Sequence, residues 1–255
     1  MHNDKQPLEK SLHCGSTKTI LAWEPRPGPA AARNTGIELA SGEILALLDA
    51  DCAPDHGWLS AGVRFLTDYP DVGIGAGEIV RTVDLTTASA IELFDSVTYL
   101  QQRSYVERHR ACVTANMFFR REVAISVGGF DETFSHNSYD DWDWVVRAVS
   151  AGFKIAFIDD SVVAHDRIDS MAALNVKARR MCRGQIAFDR KHGRWKEQNF
   201  SFIRAFLSIS ADRWERVRSD VRLTSYQKAK LFWPAVMASY WYTSEMGRIL
   251  SEKSI

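Results

Sequence analysis

Asp49-Ala50-Asp51 is the first stretch of this sequence with the makings of chemistry. Side chains two apart on an extended segment point the same way, so both carboxylates can face one crevice. Two hard oxygen ligands suit Mg2+ or Mn2+, and such an ion would in turn hold a diphosphate. An Asx turn leading into Ala53-Pro54 would use Asp51 equally well. A second acidic group, Asp140-Asp141-Trp142-Asp143-Trp144, sits where the pattern predicts the start of a helix. Acids favour a helix N-terminus, and Ser138 with Asp141 fits the loose capping-box spacing. Three carboxylates within four positions nevertheless exceed what capping needs, and their repulsion would raise one pKa toward the working range of a general base. Trp142 and Trp144 offer flat apolar faces suited to stacking on a sugar ring, and equally to core packing. Arg147, four residues after Asp143, fits a helical ion pair. His165, followed by Asp166, closes Val162-Val163-Ala164, where it would either complete a metal site or serve the structure.

The elements that must position these groups alternate between strand and helix. The pattern predicts a strand over 19–23, then a proline-punctuated turn and an Ala-rich helix over 30–40. Residues 43–48 (EILALL) have the shape of a buried strand in a parallel sheet, with Asp49 and Asp51 at its carboxyl end, where open α/β sheets bind ligands. A helix over 57–67, a strand over 73–80, a long helix over 86–108, a strand over 112–119 and a short helix over 121–127 continue the alternation. A helix over 140–151 and strands over 154–158 and 162–164 follow. Beyond Asp169 the texture becomes helical, basic and aromatic, beginning with a helix over 171–191.

Composition sets the class. The 255 residues are 45% hydrophobic and 25% charged, ordinary for a soluble globular chain able to bury a core. The formal net charge of +0 argues against a histone-like nucleic-acid binder, and no recognition motif points to nucleic acid. The total hides an asymmetry: residues 1–170 hold fifteen basic and twenty-five acidic side chains, residues 171–255 seventeen and seven, so the two parts carry −10 and +10. Cys14, Cys52, Cys112 and Cys182 lie far apart, without the paired spacing of zinc sites or disulfide frameworks, and read as free thiols in a reducing cytoplasm. No export signal opens the chain and no run is long enough to span a membrane, so the expected location is cytoplasmic.

In this order the motifs resemble those of the family 2 glycosyltransferases, which have the nucleotide-sugar-binding GT-A fold. The resemblance is carried by residues 28–36 (GPAAARNTG), 40–51 (ASGEILALLDAD), 115–121 (ANMFFRR), 127–131 (VGGFD), 140–144 (DDWDW) and 162–165 (VVAH). It implies an α/β fold with a mixed sheet flanked by helices. It further implies that Asp49 and Asp51 form a metal-binding DxD motif, that Asp141 is the acceptor's catalytic base beside Asp140, and that His165 joins the metal. Arg33 and Asn34 would lie on a helix facing the nucleotide, and Asn116, Trp142 and Trp144 among the donor- and acceptor-binding residues. The implied reaction is inverting transfer of a sugar from a nucleoside-diphosphate donor, UDP-linked by expectation, to an acceptor hydroxyl on a glycan or lipid-linked carrier, as in surface or exopolysaccharide synthesis.

Two departures from the family stand out. Asp140 replaces the family's Glu, one methylene longer. The chain also enters at the strand around 18–23, so one to two βα units, about 60 residues, would be missing. A truncated or mis-assigned start, a partner chain supplying the first half, or a degenerate homologue acting as an inactive binding or scaffold subunit would each account for that. The expected layout is a polar segment over 1–17, a catalytic region over 18–169 and a basic helical extension over 170–255. In the extension, Arg179, Arg180, Arg183, Arg213, Arg216 and the aromatics Trp233, Tyr240 and Trp241 suit adsorption to an anionic membrane surface, and equally suit packing of Arg against the acidic first part.

Overall fold

The computed structural model describes residues 10–14, 17–134, 138–166, 168–195 and 201–252. The hairpin of β1 (Lys10–Cys14) and β2 (Thr17–Leu21) forms a two-stranded sheet of its own. The expected strand over 19–23 therefore ends two residues early and does not enter the main sheet. Gly28, at φ 104°, makes the turn that side-chain-bearing residues avoid, and Pro29 opens α1 (Pro29–Leu39) with its φ already helical.

The main sheet is built from β3 (Ile44–Leu48), β4 (Cys52–Pro54), β5 (Val72–Val80), β6 (Asn116–Arg120) and β7 (Lys154–His165). Their spatial order is β3-β6-β5-β7-β4, and only β5 and β7 run parallel. The mixed sheet flanked by helices is the α/β class expected, with one correction in detail. β3 is an antiparallel edge strand paired only with β6, and Leu45 is its single buried residue, the others being partly covered on both faces. The two expected strands at 154–158 and 162–164 are one strand, bulged opposite Gly77/Glu78.

Between β4 and β5 lies α2 (Trp58–Asp68), and α5 (Arg121–Val127) and α6 (Asp140–Ser150) separate β6 from β7. One core holds Ile74, Met117, Phe119, Trp144 and Val145, and the other face of the sheet packs Leu66, Phe118 and Ile158 under α2. Each such side chain stabilises the fold by about 1.5–3 kcal/mol.

The long helix expected over 86–108 is broken. Ser89 and Glu92 form a capping box that starts α3 (Ala90–Thr98), and Leu100 at φ 55° stops it. A three-residue turn, α4 (Gln102–Ser104), and a π-helical turn (Tyr105–His109) follow. The C-terminal part is wholly helical: α7 (Met171–Lys191), bounded as expected, then α8 (Phe202–Ser219), α9 (Ser225–Lys230) and α10 (Phe232–Ser251). Leu174, Val217, Leu231 and Ala235 of this part pack on Leu93, Phe94 and Val97 of α3, so the basic helices are held against the sheet-bearing part. Among the described residues no helix is long and apolar enough to cross a membrane.

Candidate active site

A cleft of about 1120 Å³ opens where β3 ends, β7 ends, α6 begins and α7 and α8 pass by. Asp49, Asp51, Asp141, Trp142 and His165 all line it, as do Arg33 and Asp140. The sequence motifs thus converge, but not as extended-strand geometry predicts. The Cys52 N–H donates to the Asp49 carbonyl at 3.0 Å, so residues 49–52 form a turn and the two aspartates diverge. Asp49 Oδ1 lies 3.4 Å from both the Arg33 guanidinium and the Thr114 hydroxyl. Asp51 Oδ1 lies 3.7 Å from His165 Nε2.

Cross-strand pairing explains the second contact. Cys52 of β4 is the register partner of His165 of β7, and one ligand atom each from Asp51, Cys52 and His165 falls within 4.8 Å of the others. A divalent cation fits this group. In the metal-free protein burial and the nearby Asp49 and Asp51 push the Cys52 thiol up to about 12, while the hard ions Mg2+ and Mn2+ favour the carboxylate oxygen and the imidazole nitrogen over sulfur.

The acid pair at the head of α6 is set by an unusual entry. Tyr139, the residue before the helix, takes φ 69°, so Ser138 does not cap it and the expected capping box is absent. Asp140 is buried and meets Arg33 Nη1 at 2.5 Å. Asp141 is pushed up to about 7, first by burial, then by the charge of Asp140, with Arg33 opposing. Asp140 is raised too, again by burial against Arg33. The third carboxylate goes elsewhere: Asp143 is fully buried and ties α6 to α7 through Lys191 at 2.8 Å and His192 at 3.0 Å, and it pairs with Arg147 as its spacing suggested.

The two tryptophans also part. Trp142 faces the cleft within an aromatic group of Tyr105, His109, Tyr139 and Phe188, at centroid distances of 5.4, 5.5, 5.4 and 6.3 Å. Trp144 is a core residue: fully buried, packed on Phe119 and Phe130, its Nε1 donating to the Gly128 carbonyl at 2.8 Å. It cannot stack on a ligand.

Asn34 and Asn116 are likewise corrected to structural residues. Asn34 exchanges hydrogen bonds with the Phe130 backbone at 2.7 and 2.9 Å, so close to Gly129 that a Cβ there would stand 2.5 Å from Asn34 Oδ1. Asn116 is buried with its amide saturated: Nδ2 donates to the Glu78 and Ser161 carbonyls and Oδ1 accepts from Trp58 Nε1, each at 2.9 Å. Position on a matching motif does not distinguish a ligand contact from such a clamp.

Missed by sequence reasoning are the cleft residues Tyr105 and His109 on the π-helical turn, Arg81 and Lys177, while Arg180, Arg213 and Arg216, read there as a membrane-adsorbing or packing surface, line the cleft. Arg81 and Lys177 share the buried Asp95 at 3.0 and 3.1 Å, and burial lowers Lys177 to about 8 against the pull of that carboxylate. The signal for Arg180 was its phase on α7. Arg179 and Arg183, four apart, share one face, leaving Arg180 about 100° away from Arg179.

Comparison with known proteins agrees with the motifs. Residues 5–128 match the family model described as Glycosyl transferase family 2. Over 149 residues the chain is 36% identical to glycosyltransferase AglE of Haloferax volcanii, covering 57% of this chain and 47% of that protein. Over 152 residues it is 35% identical to the pre-mycofactocin glycosyltransferase of Mycobacterium tuberculosis, covering 58% of this chain and 32% of that protein. The chain thus spans between a third and a half of the length of these relatives. A mannosyltransferase from Pyrobaculum calidifontis, solved with GDP-Man and Mn2+, superposes with a TM-score of 0.48 at 16% identity, covering 86% of this chain and 66% of that chain. Over residues 5–128, just under half of its length, the chain is thus similar to glycosyl transferase family 2, and the relatives that it matches carry the same kind of name.

Proposed function

We propose that this chain catalyses inverting, metal-dependent transfer of a sugar from a nucleoside diphosphate to an acceptor hydroxyl, with Asp141 as the base. The observation that carries this reading is the raised Asp141 carboxyl, at about 7, in one cleft with the Asp51/His165 pair. A base near neutrality takes the acceptor proton as the oxygen attacks the anomeric carbon, and protonation of the resulting carboxyl is not prohibitive. Trp142 offers the acceptor a partly exposed aromatic face, and Arg33 holds Asp140 and Asp49 in place beside it. Asp51 and His165 would hold the divalent ion, Mn2+ better than Mg2+ because one donor is a nitrogen. Bound there, the ion would neutralise charge developing on the departing diphosphate. The relatives' own names, both glycosyltransferases, support transfer as the activity.

Donor turnover by wild type and Asp141→Asn tests the reading. Loss of about 10²–10⁴-fold in the variant is expected. Equal rates in both proteins would leave no enzyme to explain and favour the scaffold alternative.

The C-terminal helices support a second component, peripheral attachment to an anionic membrane at the cytoplasmic side. Phe202, Ile203, Leu207, Trp233 and Tyr240 are exposed on α8 and α10. Co-sedimentation with anionic liposomes that weakens with salt is expected. Absence of salt-sensitive pelleting sinks the membrane component and leaves the transferase reading intact.

A further inference from the structure

The helical wall of the cleft carries more positive charge than the carboxylates among the described residues pair with. Arg81 and Lys177 are two cations on one carboxylate, Asp95. Arg216 is paired with Asp212 at 3.1 Å. Arg213 donates to the Ser239 hydroxyl at 3.0 Å and lies 5.6 Å from the Tyr242 ring centroid, with no acid in ion-pair distance among the described residues. Arg180 makes no ion pair among the described residues, and its Nε is buried without a hydrogen-bond partner. Its neighbours on α7, Arg179 and Arg183, are both held at 3.0 Å by Glu245. One helix therefore presents arginines in two settings, a pair held by Glu245 of α10 and one, Arg180, that lines the cleft without an ion pair among the described residues.

These groups share one neighbourhood. Lys177 Nζ sits 3.8 Å from the Tyr99 ring centroid. Burial pushes the Tyr99 hydroxyl up and Arg213 is the first charge opposing it, with Arg216 also contributing. A partly desolvated guanidinium without a counterion is costly, and an arriving anion removes that cost. The planar fork of arginine donors matches phosphate oxygens, which distinguishes this wall from a diffuse basic surface. Asp51 and His165, which line the same cleft, form a group suited to a cation, where a donor's diphosphate would be met, and Arg81, bonded to the Asp166 carbonyl, stands between that group and Lys177.

We propose that Arg180 and Arg213, with Lys177 and Arg216 beside them, form a second anion subsite, which seats a phosphate or diphosphate group carried by the acceptor. The word acceptor rests on the transferase reading; the anion subsite does not.

The probe is inorganic pyrophosphate, titrated calorimetrically without divalent ions, and followed in parallel by the rise in melting temperature it causes. Wild type binds it, and Arg180→Gln and Arg213→Gln each weaken binding by about tenfold or more, the loss expected for a charge-assisted donor. Arg180→Lys restores part of the affinity. Because Arg180 has no partner to lose and its unanswered charge is a cost, the Arg180→Gln protein without ligand should melt no lower than wild type. Arg108→Gln, a change at an exposed arginine that does not itself line the cleft, leaves binding unchanged. Nucleoside diphosphate with Mn2+ leaves pyrophosphate bound. Unchanged affinity in both cleft variants, or equal weakening by Arg108→Gln, overturns the subsite. Full displacement by nucleoside diphosphate and Mn2+ assigns the anion to the donor and overturns the acceptor assignment. Failure of Asp141→Asn to slow turnover would remove the transferase reading while leaving the pyrophosphate result standing.

Discussion

Around Arg33, three carboxylates, those of Asp49, Asp140 and Asp141, crowd one guanidinium; around Glu245, three guanidiniums, those of Arg179, Arg183 and Arg248, crowd one carboxylate. The two groups are built from the same chemistry in opposite ratio, Glu245 buried between helices and Asp141 half-buried in the cleft wall. Burial pushes each of them up. At Glu245 the hydrogen bonds from Arg248, Arg179 and Arg183 outweigh burial and hold the carboxyl at about 2. At Asp141 the one cation is shared with two other acids, burial and Asp140 win, and the carboxyl rises to about 7. Burial acts on both, and the ratio of opposing charges decides whether it is overcome: three arginines overcome it at Glu245, and one shared arginine does not at Asp141.

The comparison predicts effects of different kind and size. Asp141→Asn is the largest, the loss of about 10²–10⁴-fold in turnover already stated, because it removes the proton acceptor while leaving the shape. Glu245→Ala comes next and acts on stability. It leaves three arginines facing one another between α7 and α10, and a urea titration should show a loss of about 3 kcal/mol, the usual cost of removing one partner from a buried charge group. A loss below about 0.5 kcal/mol, within the range of ordinary surface substitutions, would mean the arginines find water instead and the clamp does not exist.

Much of this was legible in the sequence, and the failures share a cause. Asp141, Asp51 and His165 could be singled out because charged residues at element ends have few fates, and the structure brings them to one cleft. The bounds of α7 were found because its apolar and basic residues keep helical phase over 21 residues. Trp144, Asn34 and Asn116 were misassigned because each satisfies its polar atoms through contacts 16 to 96 positions away in sequence, which motif matching cannot register. The divergence of Asp49 from Asp51 depends on one turn hydrogen bond, from the Cys52 N–H to the Asp49 carbonyl. The −10 and +10 halves were visible as numbers. That the basic half supplies a wall of the acidic half's cleft required the packing of α3 against α7, α8 and α10.

Arg33 offers the smallest and sharpest test, because it is the single cation on the acid-rich side of the comparison. The reaction needs Asp141 ionised, so kcat/KM should rise with pH through a limb near 7. Arg33 is the charge that opposes burial and Asp140 at that carboxyl. Arg33→Gln removes it, the ionised form loses its partner, and the limb moves to higher pH, by about one unit if the lost interaction is near 1.4 kcal/mol. Activity would then be depressed at pH 7 and recovered at pH 9. Arg33→Lys keeps the charge within reach of Asp140 and should return the limb toward its original place. A Gln variant that is slower by the same factor at every pH would show that Arg33 only positions Asp49 and Asp140, and that the ratio of charges does not set the proton affinity of Asp141.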